Sequence, residues 1–221
     1  MRVILFGATG MVGRGVLREC LLDPGIETVL CVGRRAIGTS DAKVREIVTE
    51  DLTDLTGVEG DLRGFDAGFY CLGVSSAGMR EEEYQRITYD LTISVAERLS
   101  RINPGMTFVY VSGAGTDSTE RGRSMWARVK GRTENALLRM PFRAAYMFRP
   151  GVIRALHGIR SRSRVYRVLY AVLFPFVVLV ATAAPNSITT TERVGRAMIR
   201  VARDGAPTRI LGTREINRLA R

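Results

Sequence analysis

Three glycines spaced three residues apart, Gly7, Gly10 and Gly13, are the residues whose spacing most plainly predicts chemistry. They follow an apolar stretch, residues 2–6, and precede residues with helical spacing, which predicts a strand, a tight turn and a helix start. Such glycines let the chain turn, let backbone N–H groups approach a phosphate, and let the helix pack closely on the sheet. The stretch predicts a pyrophosphate-binding turn, with a purely structural turn as the alternative. Its residues are Gly7, Thr9, Gly10, Met11, Val12 and Gly13.

The end of the second predicted strand, residues 28–32, bears on which dinucleotide binds. NAD-selective sites place an acidic residue about 20 residues after the glycine turn. Here Gly33 occupies that place and is followed by Arg34 and Arg35, whose guanidinium groups suit a 2'-phosphate. We therefore expect NADP(H) to be preferred over NAD(H), which stays open as a second cofactor. A pair of exposed surface arginines is the alternative interpretation.

Further candidate cofactor contacts follow the third and fourth predicted strands. Asp51 and Leu52 come after a strand over 43–48, where the carboxylate could accept from an adenine amino group or cap a helix. Cys71, Leu72 and Gly73 close a strand over 65–72, and we expect them beside the glycine turn.

The remaining elements predict the fold. Strands are predicted over 107–111 and 144–148, an edge strand over 209–211, and helices over 11–22, 81–101, 124–139, 188–203 and 213–219. Strands that alternate with helices indicate an α/β fold of the Rossmann type, a doubly wound parallel sheet with a ligand crevice at the carboxyl ends of its strands. We expect a single domain, with a core over 1–156 and a small helical substrate-side appendage or lid over 157–221.

Several stretches together resemble the atypical short-chain dehydrogenases/reductases. They are the glycine turn, Cys71-Leu72-Gly73, Val111-Ser112-Gly113, Lys130-Gly131-Arg132-Thr133-Glu134 and Phe148-Arg149-Pro150-Gly151. Over about residues 1–156 the chain most resembles the NAD-dependent epimerase/dehydratase-like group that includes the Tat-interacting-protein-type oxidoreductases. The resemblance implies a Rossmann fold and NADP(H) binding. It implies Lys130 on the nicotinamide ribose, Ser112 near the reacting carbon, and the backbone of Pro150 and Gly151 against the carboxamide.

The chain departs from that family at one catalytic position. Active members use Tyr-x-x-x-Lys, in which the lysine lowers the tyrosine pKa so that the phenol can exchange a proton with the substrate. Here Lys130 matches, but Trp126 stands at the tyrosine position, and an indole is not an acid–base group near neutral pH. Ser112 could polarise a carbonyl or simply cap the strand end.

Three outcomes of this substitution stay open. Hydride transfer could continue with another proton donor, namely Ser112, Tyr84, Tyr89 or water. The protein could be a dinucleotide-dependent sensor without turnover, or it could reduce quinone-like substrates with protons from solvent. The leading hypothesis is an NADP(H)-dependent oxidoreductase acting on an apolar carbonyl or quinone-like small molecule.

The C-terminal third contains an uncharged stretch, residues 168–191, that follows an arginine-rich one, residues 160–167. Its strictly apolar part is shorter than the ~20 residues of a membrane span and contains Pro175. We expect a lid, a pocket wall or a homodimer face. Peripheral contact with an anionic membrane surface through residues 160–184 is the alternative.

Composition excludes several other functions. The net charge of +11 comes from arginines dispersed along the chain, without a basic stripe interleaved with aromatics, so no specific nucleic-acid partner is expected. Cys20, Cys31 and Cys71 are far apart, and His157 is the single histidine, so no metal site is expected. The first residues enter a strand at once, which favours a cytoplasmic protein, with contact at the inner membrane face as a variant of that expectation.

Overall fold

The computed structural model describes residues 1–159 and 188–221. The strands are β1 (Arg2–Phe6), β2 (Thr28–Gly33), β3 (Val44–Val48), β4 (Ala67–Tyr70), β5 (Thr107–Val111), β6 (Ala144–Arg149), β7 (Val152–Arg154), β8 (Ile188–Thr190) and β9 (Ile210–Gly212). The helices are α1 (Met11–Leu22), α2 (Glu81–Gln85), α3 (Leu91–Ile102), α4 (Met125–Arg139), α5 (Thr191–Asp204) and α6 (Thr213–Leu219). A 3-10 helix covers Thr56–Leu62, and a π-helical turn, Arg86–Asp90, joins α2 to α3.

Seven strands form one parallel sheet in the order β3-β2-β1-β4-β5-β6-β9. Phe6 at the end of β1 pairs with Val32 on one side and Tyr70 on the other, so these three strands end at the same level. The strand order reverses between β1 and β4, which is where ligands bind in open α/β sheets. The predicted Rossmann-type doubly wound sheet is therefore confirmed.

Alternate residues of β1 supply the two layers of the core. Val3 and Leu5 face a layer that includes α1, α5 and α6, whereas Ile4 and Phe6 face a layer that includes α3, the 3-10 helix and the end of α4. All four side chains are fully buried. Burial of the central strand on both faces explains why its sequence is continuously apolar rather than alternating.

The C-terminal residues complete this core. Val194, Met198, Leu211 and Ile216 are buried in the α1 layer, and β9 extends the sheet beyond β6. A Cβ on Gly15 would lie 2.5 Å from the Cβ of Thr191, which shows how closely α1 and α5 approach. The core therefore continues well beyond residue 156, where we expected it to end and a lid to begin.

Three predicted elements differ from the observed ones. Residues 188–190 were predicted as helix but form β8, which pairs in parallel with β7, and the helix begins only after Thr190, whose side chain accepts from the Arg193 N–H. The predicted strand over 65–72 is shorter, and the predicted helix over 81–101 is interrupted by the π-helical turn. The predicted lid or membrane-contacting stretch, 160–184, lies outside the described residues.

Candidate functional site

The glycine turn after β1 has a geometry that side chains would disrupt. Gly7 has a φ of +83°, and a Cβ there would lie 2.8 Å from the carbonyl carbon of Cys71. A Cβ on Gly13 would lie 2.1 Å from the carbonyl oxygen of Gly7. The Gly10 N–H donates to that same oxygen at 2.9 Å, and α1 begins directly after Gly10. Gly7 and Gly13 therefore shape the turn, and Gly10 places the start of the helix.

A cleft of about 850 Å³ lies at the carboxyl ends of β1, β4, β5 and β6. It is lined by Gly10, Met11, Val12, Cys71, Leu72, Gly73, Val74, Ser75, Ser76, Tyr84, Val111, Ser112, Gly113, Ala114, Trp126, Lys130, Pro150, Gly151 and Ile153. A Cβ on Gly73 or Gly113 would meet no atom within 4 Å, so backbone at the rim is open to a ligand. The first N–H groups of α1 have no partners within their own helix and point out of its N-terminus. This cradle fits a dinucleotide pyrophosphate.

Most of the sequence-predicted site residues meet in this cleft. Those that line it are Gly10, Met11, Val12, Cys71, Leu72, Gly73, Ser112, Trp126, Lys130, Pro150 and Gly151. Gly7, Thr9 and Gly13 belong to the turn itself and do not line the cleft. Burial raises the pKa of the Cys71 thiol to about 12, so this cysteine stays protonated at neutral pH.

The residues predicted for the adenosine end lie beyond the cleft. Arg34 and Arg35 are exposed after β2, and a Cβ on Gly33 would meet nothing within 4 Å, so there is open space beside them. Asp51 accepts from the N–H and the hydroxyl of Thr53 at 2.7 and 2.6 Å, and these bonds lower its pKa. Asp51 thus closes a local turn. The side chain of Leu52 is buried in the core.

Lys130 is held at the base of the cleft. Its Nζ donates to the carbonyl oxygen of Ser112 at 2.8 Å and lies 5.8 Å from the ring centroid of Tyr110. Burial lowers the pKa of Lys130 to about 8, against the opposing effect of the Glu134 carboxylate. The amine is therefore charged at neutral pH and loses its proton only slightly above it.

Beside Lys130 lies a buried ion pair that the sequence analysis missed. Glu134 is fully buried and accepts from the Ser112 hydroxyl, and Arg149 Nε lies 3.1 Å from both of its carboxylate oxygens. Ser112 Oγ is also 3.0 Å from the carbonyl oxygen of Phe148. The available signals were the position of Glu134, one helical turn after Lys130, and a basic residue just before Pro150.

This ion pair changes the role expected of Ser112. A serine hydroxyl has a single hydrogen to donate, and here the acceptors for it are Glu134 and Phe148. While those bonds persist, Ser112 presents lone pairs rather than a donor. The expectation that Ser112 polarises a substrate carbonyl is therefore not supported by its contacts.

Aromatic residues from two helices form another part of the cleft. Trp126 of α4 lines it one turn before Lys130, and Tyr84 lines it from α2 with its side chain buried. Tyr89 does not line the cleft and instead lies under Arg132, whose guanidinium carbon is 4.5 Å from the ring centroid. His157 does not line it either, and pairs with Glu192 at 3.0 Å.

The described part of the chain has neither a metal-binding cluster nor a membrane-spanning helix. No group of three or more His, Cys, Asp or Glu residues there could hold a metal ion. Over residues 1–159 and 188–221, no helix is both long and apolar enough to cross a membrane.

Curated proteins resemble this chain in sequence. The chain is 27% identical over 154 residues to protein HTATIP2 of Rattus norvegicus, covering 68% of this chain and 62% of that one. It is 30% identical over 155 residues to the protein "FMP52, mitochondrial" of Eremothecium gossypii, covering 69% and 66%. The alignments therefore span less than two thirds of the length of either relative.

Solved structures extend the likeness in fold to nearly the whole chain. WbmF of Bordetella bronchiseptica, solved with NAD+, has a TM-score of 0.68 at 18% identity, covering 99% of this chain and 76% of that one. A short chain dehydrogenase family protein from Francisella tularensis has a TM-score of 0.66 at 16% identity, covering 92% and 91%. A family model matches residues 3–218, from the first strand through the last helix. On sequence and fold together, the chain belongs to the NAD dependent epimerase/dehydratase family.

Proposed function

We propose that the protein is an NADP(H)-dependent oxidoreductase that acts on an apolar carbonyl or quinone-like small molecule. The observation that carries the proposal is that one cleft joins the start of α1, suited to a pyrophosphate, to Lys130, suited to a nicotinamide ribose. WbmF, which shares the fold, was solved in complex with NAD+, and this supports a nicotinamide dinucleotide as the ligand class.

The preference for NADP(H) over NAD(H) rests on the end of β2. Gly33 offers no carboxylate for a ribose diol, and it leaves open space next to Arg34 and Arg35. Guanidinium groups bind phosphate with paired hydrogen bonds, and exposed arginines can reach a 2'-phosphate without a large desolvation cost.

In this proposal each group that would meet the cofactor or the substrate has a role. The N–H groups at the start of α1 hold the pyrophosphate, and the Lys130 ammonium donates to the ribose hydroxyls. Bound there, the dihydronicotinamide supplies a hydride. Met11, Leu72, Val74, Trp126 and Ile153 give the cleft an apolar lining, which favours an apolar substrate.

Binding measurements on the arginines test the cofactor assignment. In the Arg34→Ala/Arg35→Ala double variant we expect NADPH affinity to fall about tenfold or more while NADH affinity stays the same, because only NADPH carries the 2'-phosphate. Calorimetric titration of both dinucleotides into both proteins measures this. Arg101→Ala, which removes an exposed arginine in the last turn of α3, serves as the matched control. An equal loss of affinity for NADPH and NADH in the double variant would contradict the assignment. So would a wild-type protein that binds neither dinucleotide.

A second candidate function is a dinucleotide-dependent sensor without turnover. The observation that favours it is that Trp126 lines the cleft. Trp126 stands at the position of the tyrosine in the Tyr-x-x-x-Lys pattern of active short-chain dehydrogenases/reductases. Steady-state oxidation of NADPH with a panel of aldehydes, ketones and quinones separates the two functions. Tight NADPH binding with no turnover of any of them would favour the sensor.

A further inference from the structure

Loss of the phenol at position 126 raises the question of which group in the cleft can give a proton to a substrate oxygen. Ser112 donates its hydrogen to Glu134 or Phe148, and the indole of Trp126 is too weak an acid. Tyr89 lies under Arg132 and does not line the cleft. Water could serve only where the substrate needs no positioned acid.

Tyr110 is close to the site but unsuited to the task. It is buried below the cleft rather than lining it. Burial first, and then the neighbouring phenols of Tyr70 and Tyr84, raise the pKa of Tyr110 well above its ordinary value. Tyr84 is thus one of the phenols that raise the pKa of Tyr110, over whose ring the Lys130 amine sits.

Tyr84 is placed in the cleft by contacts between α2 and α4. Arg128 on α4 binds Glu81 on α2 at 2.6 Å, and Arg132 donates to Gln85 at 3.5 Å. These residues flank Tyr84 in sequence, so α2 is tied to the helix that carries Trp126 and Lys130. The π-helical turn begins two residues after Tyr84, and such turns occur frequently at functional sites. Tyr84 itself is 2% exposed and lines the cleft.

We propose that Tyr84 is the catalytic proton donor, a phenol supplied from α2 in place of the one absent at position 126. This inference rests on the proposed oxidoreductase function. In carbonyl reduction, the carbonyl carbon accepts a hydride with its electron pair from the dihydronicotinamide, which is oxidised. The carbonyl oxygen takes the proton from the Tyr84 hydroxyl as that O–H bond breaks, and water then reprotonates the phenolate.

The first test compares Tyr84→Phe with Tyr89→Phe, a matched loss of a phenol outside the cleft on the same helical stretch. The probes are 4-nitrobenzaldehyde, whose reduction needs a proton at oxygen, and 9,10-phenanthrenequinone, which can be protonated by solvent after hydride transfer. We expect Tyr84→Phe to lower kcat for the aldehyde by about 10²–10⁴-fold, to leave quinone reduction within about threefold, and to leave NADPH affinity unchanged. Tyr89→Phe should match the wild type on both probes.

The second test moves the phenol back to α4. In the Tyr84→Phe/Trp126→Tyr double variant, a phenol returns one turn before Lys130, and we expect aldehyde reduction to recover at least tenfold over Tyr84→Phe alone. A readout without turnover is NMR of protein labelled with [13C]tyrosine, with the Tyr84 signal assigned from the Tyr84→Phe spectrum. Addition of 4-nitrobenzaldehyde to the NADP+ complex, which holds no hydride to transfer, should shift the Tyr84 signal and leave the Tyr89 signal in place.

The outcomes distinguish this inference from the function on which it rests. If the wild type binds NADPH but reduces neither probe, the oxidoreductase proposal fails and the role of Tyr84 fails with it. If Tyr84→Phe reduces the aldehyde as fast as the wild type, only the role of Tyr84 fails, and Lys130 becomes the donor to test. Reduction of the quinone alone by the wild type also overturns the role of Tyr84, because solvent then supplies the protons.

Discussion

Lys130 shows how a single residue acquires properties that its sequence position does not reveal. The family resemblance implied that it reaches the cofactor region, and its place one turn after Trp126 predicted that the two side chains face the same side; both line the cleft. Its partners come from two stretches: the Ser112 carbonyl and the Tyr110 ring lie at the end of β5, and the Glu134 carboxylate lies one turn further along α4. The contacts with β5 could not be predicted because they join residues that are distant in the sequence, and burial in that environment lowers the pKa of the amine.

The lowered pKa of Lys130 predicts a pH-dependent affinity for the dinucleotide. Below its pKa of about 8 the amine is charged and donates to the ribose, and above that pH it loses the charge. We therefore expect NADPH affinity to fall by about fivefold between pH 7 and pH 9, equivalent to about 1 kcal/mol. Calorimetric titration across this range measures the effect.

Two lysine variants isolate the group responsible. Lys130→Arg keeps its charge throughout, because a guanidinium does not titrate here, and its affinity should show no step near pH 8. Lys43→Arg alters the other lysine, which binds the carbonyl oxygens of Leu21 and Asp23, and it should behave as the wild type does. A step that persists in Lys130→Arg would assign it to a different group.

At the scale of elements, the glycine turn and the strands around it were predictable because their signals are local. An apolar run followed by spaced glycines specifies β1, the turn and α1 within a few residues, and Gly7 and Gly13 prove to have no room for a side chain. The β7–β8 pair was not predictable. Each of its strands has three residues, and pairing between positions 36 apart leaves no periodic pattern in either.

Gly13→Ala should therefore destabilise the protein, whereas Gly33→Ala should not. The added methyl group at position 13 would lie 2.1 Å from the Gly7 carbonyl oxygen, and the turn must shift to accommodate it. At position 33 the methyl group meets nothing within 4 Å. We expect Gly13→Ala to lower the free energy of unfolding by at least about 2 kcal/mol and Gly33→Ala to change it by less than about 0.5 kcal/mol.

Urea denaturation followed by circular dichroism measures both variants, and NADPH titration shows whether the distorted turn also loses its ligand. Equal stability of the two alanine variants would mean that the turn tolerates a side chain at Gly13. The close packing of α1 on β1 would then need another explanation.

At the scale of the whole molecule, residues 188–221 contribute to the core rather than to an appendage. The apolar periodicity of residues 188–203 predicted an amphipathic helix, but periodicity does not say what a helix packs against. The structure packs α5 on α1, where Glu19 is buried and paired with Arg196 at 3.0 Å. Assignment of everything after residue 156 to a lid followed only from its position after the sixth strand.

We expect the free energy of unfolding to depend on α5 as well as on the glycine turn and α1. Met198 is fully buried between α5 and the sheet, so we expect Met198→Ala to cost about 2–5 kcal/mol of unfolding free energy. Leu22→Ala on α1 is the control, because that side chain is 61% exposed and should change stability by less than about 0.5 kcal/mol. Thermal or urea unfolding measures both. A Met198→Ala protein as stable as the wild type would show that α5 is dispensable to the core.

Trp126 has a consequence beyond chemistry. It is the single tryptophan of the chain, and it lies in the lining of the cleft. All of the indole fluorescence of the protein therefore comes from a residue beside the proposed cofactor and substrate position. Any occupant that excludes water from the indole, or absorbs its emission as a dihydronicotinamide does, should change the fluorescence of the unlabelled protein. Trp126 can therefore serve as an intrinsic fluorescence probe. A library of small molecules can be screened for binding to the cleft before any turnover is known.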